Sequence, residues 1–385
     1  MGPLSGLRVL EIVGLGPGPF CAMLLSDLGA EVLRIDRPEA VEQTLGSLGA
    51  VGYDEVVCRG RRSVAIDLKQ PAGAALLLEL VRQADALIEG FRPGVMERLG
   101  VGPDACAERN PKLVYGRMTG WGQQGPWATR PGHDLNYISM TGIAEAIGPA
   151  DGPPVPPLNL LADFAGGGML LALGILAALQ ERERSGAGQV VDAAMVDGVS
   201  VIAGAFYGWH DAGGWSLARG RNLLDGGAPF YSCYATSDQR YVAVGALEPR
   251  FYQQLLQVLQ LQDEGLPAQY DPSGWPTIRK RFEQVFATRT RQEWIEHQGE
   301  AEACISPVLD LDEARSHPVN VARGVFIESA GKLQPRPAPR FSRSEAALPA
   351  SAALPGEHTE QALLDWGVDQ QTVAQLLDAR VLRQR

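Results

Sequence analysis

The chain has 385 residues, with 34 basic and 45 acidic side chains and a formal charge of −11. This acidity argues against a general nucleic-acid binder, whose phosphate contacts require a basic surface. A hydrophobic content of 45% and a charged content of 21% are typical of globular proteins and exclude the disordered and fibrous classes. The length predicts two to three domains with a large buried core.

The spacing of cysteine and histidine gives no metal or redox motif. No C-x-x-C pair occurs, and an odd number of separated cysteines favours a reducing compartment. We therefore expect no metal site. We also expect no signal peptide and no segment of about 20 apolar residues that spans a bilayer, which predicts a soluble protein. The cysteines are Cys21, Cys58, Cys106, Cys233 and Cys304, and the histidines are His133, His210, His297, His317 and His358.

Short apolar strands alternate with helices in the first half of the chain. Residues 8–13 predict a strand, 20–28 a helix and 31–35 a second strand, which together make a β-α-β unit. The alternation continues to residue 209 and predicts an α/β fold with a parallel sheet covered on both faces. Further strands are expected at 63–68, 86–89, 113–119 and 189–195, and further helices at 72–82, from Pro93, at 164–183 and at 196–209.

The composition changes twice along the chain. Residues 120–160 are rich in Gly and Pro, and a long ordered loop inside a compact domain is usually functional. A second compositional unit begins near residue 222. Its expected elements are a strand at 241–245 and helices at 250–261, 276–288 and 291–300, followed by an extended linker at 335–343 and 346–355 and a helix at 359–380.

The first β-α turn, Gly14-Leu-Gly16-Pro-Gly18-Pro19, is similar to a dinucleotide-binding fingerprint. Its sixth position is Pro19, which has no N–H group and prevents the close helix packing that a glycine allows there. The turn therefore favours a structural Rossmann-type unit over NAD binding.

Seven basic residues gather near the expected strand ends. Open α/β sheets bind ligands outside the carboxyl ends of their strands, so a phosphate-rich small molecule would suit this set. A solvated surface run is the equally open alternative. The residues are Arg34, Arg37, Arg59, Arg61, Arg62, Lys69 and Arg92.

Three residues are candidates for acid/base chemistry. His133 lies in the Gly/Pro-rich loop, where a histidine can act as base or acid at neutral pH. Asp163 is expected at the N-cap of the helix at 164–183, with backbone N–H groups holding its carboxylate. Glu248 follows the strand at 241–245 and would orient His133 if it came close to the imidazole. For each residue a structural role, a cap or a core contact, is the competing interpretation.

Several long blocks resemble one family in order over nearly the whole chain, most weakly between about 39 and 58 and after 343. The blocks include GPGPFCAMLLSDLGAEVLRIDRP, GHDLNY, PLNLLADFAGGG, VAVGALEP and PRPAPRFS. They are similar to the alpha-methylacyl-CoA racemase branch of the family III CoA-transferases. The resemblance implies a Rossmann-like large domain, a smaller α+β domain and an interlocked homodimer. The implied boundaries are 1–200 with 330–385 for the large domain, 201–224 for a linker and 225–329 for the small domain.

The same resemblance assigns roles to residues. It implies that His133 and Asp163 are the acid/base pair and that Glu248 pairs with the histidine. It places contacts with substrate and CoA at Arg37, Ile66, Asp67, Leu68, Lys69, Arg92, Gly132, Asp134, Leu135, Asn136 and Tyr137. CoA then belongs to the substrate, and no separate cofactor is expected.

The implied activity is a racemase, an isomerase of lipid and fatty-acid metabolism that exchanges the C2 proton of 2-methylacyl-CoA thioesters. Backbone N–H groups after Asp163 are the expected donors to the enolate oxygen. The alternative is CoA transfer with Asp163 as nucleophile, and a non-catalytic acyl-CoA binder is a third hypothesis. The last four residues, Leu382 to Arg385, do not resemble a peroxisomal address, so a cytoplasmic location is expected.

Overall fold

The computed structural model describes residues 2–42, 55–329, 331–344, 346 and 350–385. Within these residues the chain forms two compact units. The first comprises the described parts of Met1–Thr141, Leu158–Ile202 and Ala322–Arg385, and the second comprises Gly142–Pro157 and Ala203–Val321. The domain boundaries implied by the sequence stay a prediction.

A seven-stranded sheet lies at the centre of the first unit. Neighbouring strands run parallel, except that the C-terminal strand Leu382–Arg383 pairs antiparallel with the third strand. The predicted α/β fold with a mainly parallel sheet is confirmed. The other six strands are β1 (Arg8–Ile12), β2 (Glu31–Asp36), β3 (Arg61–Ile66), β4 (Ala86–Glu89), β5 (Val114–Thr119) and β6 (Val190–Ala194).

The strand order determines where a ligand can bind. After the C-terminal strand, the sheet runs β3, β2, β1, β4, β5, β6. In this doubly wound order β2 and β3 are added on one side of β1, and β4 to β6 are added on its other side, so the strand order reverses between β1 and β4. A crevice therefore opens at the carboxyl ends of β1 and β4.

Helices of the first unit connect these strands. Helices α1, α2 and α4 each begin with a proline. Proline has no N–H group, and this costs little at the first position of a helix because an N–H there has no acceptor within the helix. A 3₁₀ helix, Pro38–Glu42, follows β2, and a π-helix, Leu160–Met169, precedes α6. The α-helices are α1 (Pro17–Asp27), α2 (Pro71–Val81), α3 (Val95–Arg98), α4 (Pro103–Arg109), α5 (Asp134–Met140), α6 (Leu170–Ser185) and α7 (Met195–Ile202).

Helices cover the sheet with apolar side chains. Leu10 of β1 and Leu33 of β2 are fully buried in one cluster with Leu77 of α2. Helix α6 packs against β5, where a Cβ atom at Gly116 would approach Leu171 and Ile175 within about 3 Å. Because helices cover both faces of the sheet, almost every side chain of a strand is buried, and the strand sequences are therefore nearly continuous apolar runs.

The helix expected at 164–183 starts earlier than predicted, and its N-cap is not Asp163. The carboxylate of Asp134 accepts the N–H groups of Ala162 at 2.7 Å and Asp163 at 2.9 Å. The π-helix begins at Leu160, so Asp163 lies inside it, and its early N–H groups are accepted by the side chain of Asp134.

The π-helix and α6 together form an apolar run, Leu160–Ser185, that is long enough to cross a membrane by length and composition alone. The expectation that the chain holds no such segment is wrong. One face of this run, which includes Leu171 and Ile175, is fully buried against the sheet, whereas Met169 and Leu173 are exposed.

The second unit contains an antiparallel sheet of β7 (Tyr231–Ala235), β8 (Tyr241–Gly245) and β9 (Ile305–Pro307). Fully buried aromatic residues, among them Phe230, Phe282 and Trp294, form its core. Its helices are α8 (Gly204–Asp211), α9 (Pro249–Val258), α10 (Trp275–Phe286), α11 (Arg291–Gln298) and α12 (Leu311–Ser316), and the residues of this unit end at Val321, within α13 (Pro318–Arg323).

The C-terminal region returns to the first unit. A hairpin of β10 (Phe326–Ser329) and β11 (Lys332–Pro335) is followed by helices α14 (Thr359–Asp365) and α15 (Gln370–Asp378). The helix expected at 359–380 is thus broken, with Gly367 at φ +78° between its two parts. The linker expected at 346–355 lies partly outside the described residues.

Candidate functional site

A cavity of about 740 Å³ opens at the carboxyl ends of β1, β4 and β5 in the first unit. Its walls come from the turns that follow these strands, the position that the strand order indicates. Among its lining residues are Gly16, Arg37, Arg92, His133, Tyr137 and Asp163.

A second cavity of about 400 Å³ shares Arg37, Phe91 and Arg92 with the first. The guanidinium carbon of Arg37 lies 6.0 Å from the centroid of the Phe91 ring. The structure thus brings six of the expected substrate and CoA residues to one place: Arg37, Ile66, Asp67, Leu68, Lys69 and Arg92. Three of these are cations, and the carboxylates of Asp36, Glu39 and Asp67 also line the cavity, so its apolar walls carry charges of both signs.

Four other residues of the basic set are structural. Arg34 pairs with Asp36 at 2.7 Å, Arg59 with Asp27 at 2.5 Å, and Arg61 with Glu11 at 3.0 Å, all with buried side chains. Arg62 pairs with Glu31 and Asp365. Neither a phosphate site nor a solvated run describes these four residues, because their charges are neutralised by carboxylates of this chain.

His133 stands immediately before α5 and its side chain is exposed. The Oδ1 atom of Asn136 accepts the backbone N–H of His133 at 3.0 Å, which holds the start of the helix. Tyr137 is buried and donates its hydroxyl to the carbonyl of Gly132, and burial raises the pKa of this hydroxyl to about 12.

The GHDLNY segment divides into two groups. Gly132, His133 and Tyr137 line the larger cavity. The side chains of Leu135 and Asn136 are exposed, whereas that of Asp134 is buried. Direct contact of Asp134, Leu135 and Asn136 with a substrate stays a prediction.

Asp163 is half-buried in the wall of the same cavity. Burial raises the pKa of its carboxyl, and the nearby charge of Asp134 acts in the same direction. The Nδ2 group of Asn159 donates to Oδ2 of Asp163 at 3.0 Å, which opposes the shift. A carboxyl with a raised pKa exchanges protons closer to neutral pH than an exposed aspartate does.

Gly16 and Asn159 were not identified from the sequence as parts of this site. A Cβ atom on Gly16 would lie 3.2 Å from Oδ2 of Asp163, and Gly16 has φ +67°. Asn159 stands four residues before Asp163, one turn away on a helix, and this spacing was the available signal.

Glu248 lies in the second unit, at the residue preceding α9. Its side chain is exposed and its carbonyl accepts the N–H of Tyr252 at 3.0 Å. Its pairing with His133 stays a prediction.

No group of three or more His, Cys, Asp or Glu side chains suited to a metal ion occurs among the residues that the structure describes. The ionisable side chains that line the larger cavity include the imidazole of His133, the carboxylate of Asp163 and the guanidinium groups of Arg37 and Arg92.

The family model for CoA-transferase family III matches residues 4–359. The chain belongs to this family. As a member of CoA-transferase family III it is 45% identical to the alpha-methylacyl-CoA racemase of Mus musculus over 382 residues, which covers 98% of this chain and 97% of the relative. It is 44% identical to the alpha-methylacyl-CoA racemase of Homo sapiens, with the same coverage.

A solved structure shares the family fold. A CAIB/BAIF family protein from Brucella suis matches with a TM-score of 0.84 over 95% of this chain and 99% of that chain, at 24% identity. This likeness supports the fold.

Proposed function

We propose that this family III member is a racemase that interconverts (R)- and (S)-2-methylacyl-CoA thioesters. The observation that carries the proposal is that His133 and Asp163 line the same cavity. The racemases of mouse and human, similar over 98% of the chain, support it.

The reaction requires two acid/base groups and no co-reactant. One of the two residues, His133 or Asp163, removes the C2 proton, and the electron pair of the C–H bond moves into an enolate. The other residue then delivers a proton to the opposite face of C2, so that the thioester is regenerated with inverted configuration. The roles exchange when the opposite enantiomer is the substrate.

The environment of Asp163 suits this exchange of roles. An ordinary exposed aspartate is a weak proton donor at neutral pH because it has lost its proton. Burial raises the pKa of Asp163, which makes the protonated form accessible for delivery to the enolate. The hydrogen bond from Asn159 keeps the ionised form accessible for proton removal.

The substrate's CoA part would occupy the smaller cavity. Arg37, Lys69 and Arg92 supply positive charge for its phosphates, and the apolar walls suit the rest of the group. Binding there places the thioester next to His133 and Asp163, since the two cavities share Arg37 and Arg92. CoA enters as part of the substrate, and we propose no resident cofactor.

Which backbone N–H groups donate to the enolate oxygen stays a prediction, but two N–H groups near Asp163 already have another acceptor. The N–H groups of Ala162 and Asp163 donate to Asp134. Backbone donors must therefore come from other residues around the cavity.

CoA transfer with Asp163 as nucleophile is the second candidate, and the family name favours it. Such a reaction would use Asp163 to form an acyl-enzyme anhydride and then an enzyme-CoA thioester, without an acid/base role for His133. The presence of His133 in the same cavity favours racemisation.

A single experiment separates the two reactions. One enantiomer of a 2-methylacyl-CoA is incubated with the enzyme in deuterated water, with and without an added carboxylate. We expect racemisation with deuterium at C2, and we expect a folded His133→Ala variant to lose this exchange. CoA on the added carboxylate, with C2 configuration retained, would establish transfer instead.

We also propose that the active form is a homodimer in the cytoplasm. Exposed apolar side chains on α6 and α7 support the dimer, with Leu173 63% and Val201 72% exposed. Sedimentation of the wild type and of Val201→Glu tests it: a dimer that weakens with the substitution is expected, and a monomeric wild type would contradict it.

A further inference from the structure

Asp134 connects the two segments that carry the acid/base pair. It directly follows His133 in the chain, yet its carboxylate points away from solvent and is 4% exposed. Its Oδ2 atom accepts the N–H groups of Ala162 at 2.7 Å and Asp163 at 2.9 Å. One buried oxygen thus joins the start of α5 to the backbone of Asp163.

This connection is concentrated on a single atom. The Oδ1 atom of Asp134 is buried and has no hydrogen-bond partner in the described chain. Loss of the carboxylate would leave two N–H groups of the π-helix without acceptors at the turn that carries Asp163. Such groups recover partners if the backbone moves or if a water molecule enters the space left by the carboxylate, and neither holds Asp163 to the start of α5.

We infer that Asp134 is a positioning residue, which fixes the backbone of Asp163 relative to His133 so that both face the substrate carbon. The inference rests on the proposed racemase function. It assigns to the Asp134 side chain a role through Asp163, in addition to the substrate contact that the sequence predicts for this position.

Asp134 also acts on Asp163 electrostatically. The groups that face Asp163 are His133, Asp134 and Tyr137 from α5 and its start, Asn159 from the residue before the π-helix, and Gly16 from the first turn. Of these, Asp134 contributes a negative charge, which disfavours the ionised form of Asp163. A neutral residue at position 134 should therefore make Asp163 easier to ionise.

Two substitutions separate the positional effect from the charge. In Asp134→Asn an amide oxygen can still accept the two N–H groups, but the charge is gone. In Asp134→Ala both are lost. Asp369→Asn is the matched control, because Asp369 accepts the N–H of Thr372 at the start of α15 and lines neither cavity.

The measurement is C2 deuterium exchange from a single enantiomer as a function of pH, with folding checked by circular dichroism. We expect Asp134→Ala to lower kcat about 10- to 100-fold with a smaller change in KM, as for a misplaced catalytic group. We expect Asp134→Asn to restore most of kcat and to move the acid limb of the profile to lower pH. Asp369→Asn should leave both unchanged.

The outcomes distinguish this inference from the proposed function. A wild type without exchange refutes the racemase proposal before any variant is compared. If the wild type exchanges but folded Asp134→Ala retains its kcat, the positioning role is wrong, and if Asp134→Asn has the wild-type acid limb, the electrostatic effect on Asp163 is wrong. Should Asp134→Ala fail to fold, the kcat of Asp134→Asn decides: a loss of about 10- to 100-fold in this folded variant, which keeps an acceptor oxygen for the two N–H groups, would contradict the positioning role.

Discussion

Asp163 lies against the backbone of Gly16, with its Oδ2 atom 3.2 Å from the position that a Cβ atom on the glycine would take. The first β-α turn therefore forms part of the surface that the Asp163 carboxylate contacts. The glycine pattern that is similar to a dinucleotide fingerprint has a different use here, close approach to a side chain of the same protein.

We predict that Gly16→Ala lowers exchange activity. The methyl group would displace Asp163, and Gly16 has φ +67°, where a non-glycine residue costs about 1–3 kcal/mol. Because a small shift of a catalytic carboxylate misaligns it with the substrate carbon, we expect kcat to fall about 10- to 100-fold. Exchange kinetics and urea unfolding measure the two effects.

Gly186→Ala is the control for backbone strain. Gly186 has φ +74° after α6, and an added Cβ atom there meets no atom within 4 Å. Gly186 lies in the left-handed helical region, whereas Gly16 has ψ −113°, so Gly186→Ala should lose less stability than Gly16→Ala, and it should keep its kcat. Equal kinetic losses in the two variants would show that strain, and not contact with Asp163, explains the effect.

A second prediction concerns the pH profile of Asn159→Ala. Burial raises the pKa of Asp163, and the hydrogen bond from Asn159 lowers it. Removal of the amide takes away the larger of the two effects that lower this pKa, the other being the charge of His133, so Asp163 takes up its proton at higher pH. The acid limb of kcat/KM should move to higher pH, opposite to the shift expected for Asp134→Asn. A limb that stays in place would mean that Asp163 does not control it.

The sequence predicts an element of this fold well where the element depends on neighbouring residues in the chain, and poorly where it depends on contacts with residues far away in the chain. The apolar strands at 86–89 and 241–245 agree with the structure in both bounds, because a short buried run is a local pattern. Helix α5 and the hairpin of β10 and β11 were not predicted. These elements are short and depend on tertiary contacts rather than on periodicity.

The same distinction holds for the candidate site. Arg37 and Arg92 follow the carboxyl ends of predicted parallel strands, and both line the smaller cavity, since the topology of the sheet brings these strand ends to one edge. The roles of Arg59 and Arg61 were beyond the sequence, because their partners Asp27 and Glu11 are 32 and 50 residues away. Neither separation carries a local signal.

Glu89 provides a prediction on stability and pH. It is fully buried at the end of β4, and burial raises its pKa to about 7, although the N–H of Phe91 and the guanidinium of Arg117 favour its ionised form. Its usual pKa is 4.5. Between these values the folded protein binds more protons at this group than the unfolded chain does. The contribution of Glu89 to stability is therefore complete below pH 4.5 and is lost as pH rises through 7.

The expected loss is about 3 kcal/mol across this window. Glu89→Gln cannot ionise, so its free energy of unfolding should fall less between pH 5 and pH 8 than that of the wild type. Urea titrations at the two values measure the difference. Glu79→Gln, at an exposed pair with Arg82, should retain the wild-type dependence, and an identical dependence in Glu89→Gln would contradict the prediction.

The last prediction compares the adjacent residues Arg61 and Arg62. The Arg61 and Glu11 side chains are completely buried and joined at 3.0 Å, and Arg61 also donates to carbonyl groups of Val57 and Pro19. Arg61→Met would leave a buried carboxylate unpaired, and we expect a loss of about 3–5 kcal/mol in the free energy of unfolding.

Arg62 is the matched control because its pairs with Glu31 and Asp365 are partly exposed. Arg62→Met should cost no more than about 1 kcal/mol. Urea unfolding of both variants, and of Glu11→Leu combined with Arg61→Met, provides the test. The double variant should recover part of the loss, since the unpaired charge is then absent. Equal losses in the two single variants would mean that the burial of the Arg61 pair has no energetic consequence.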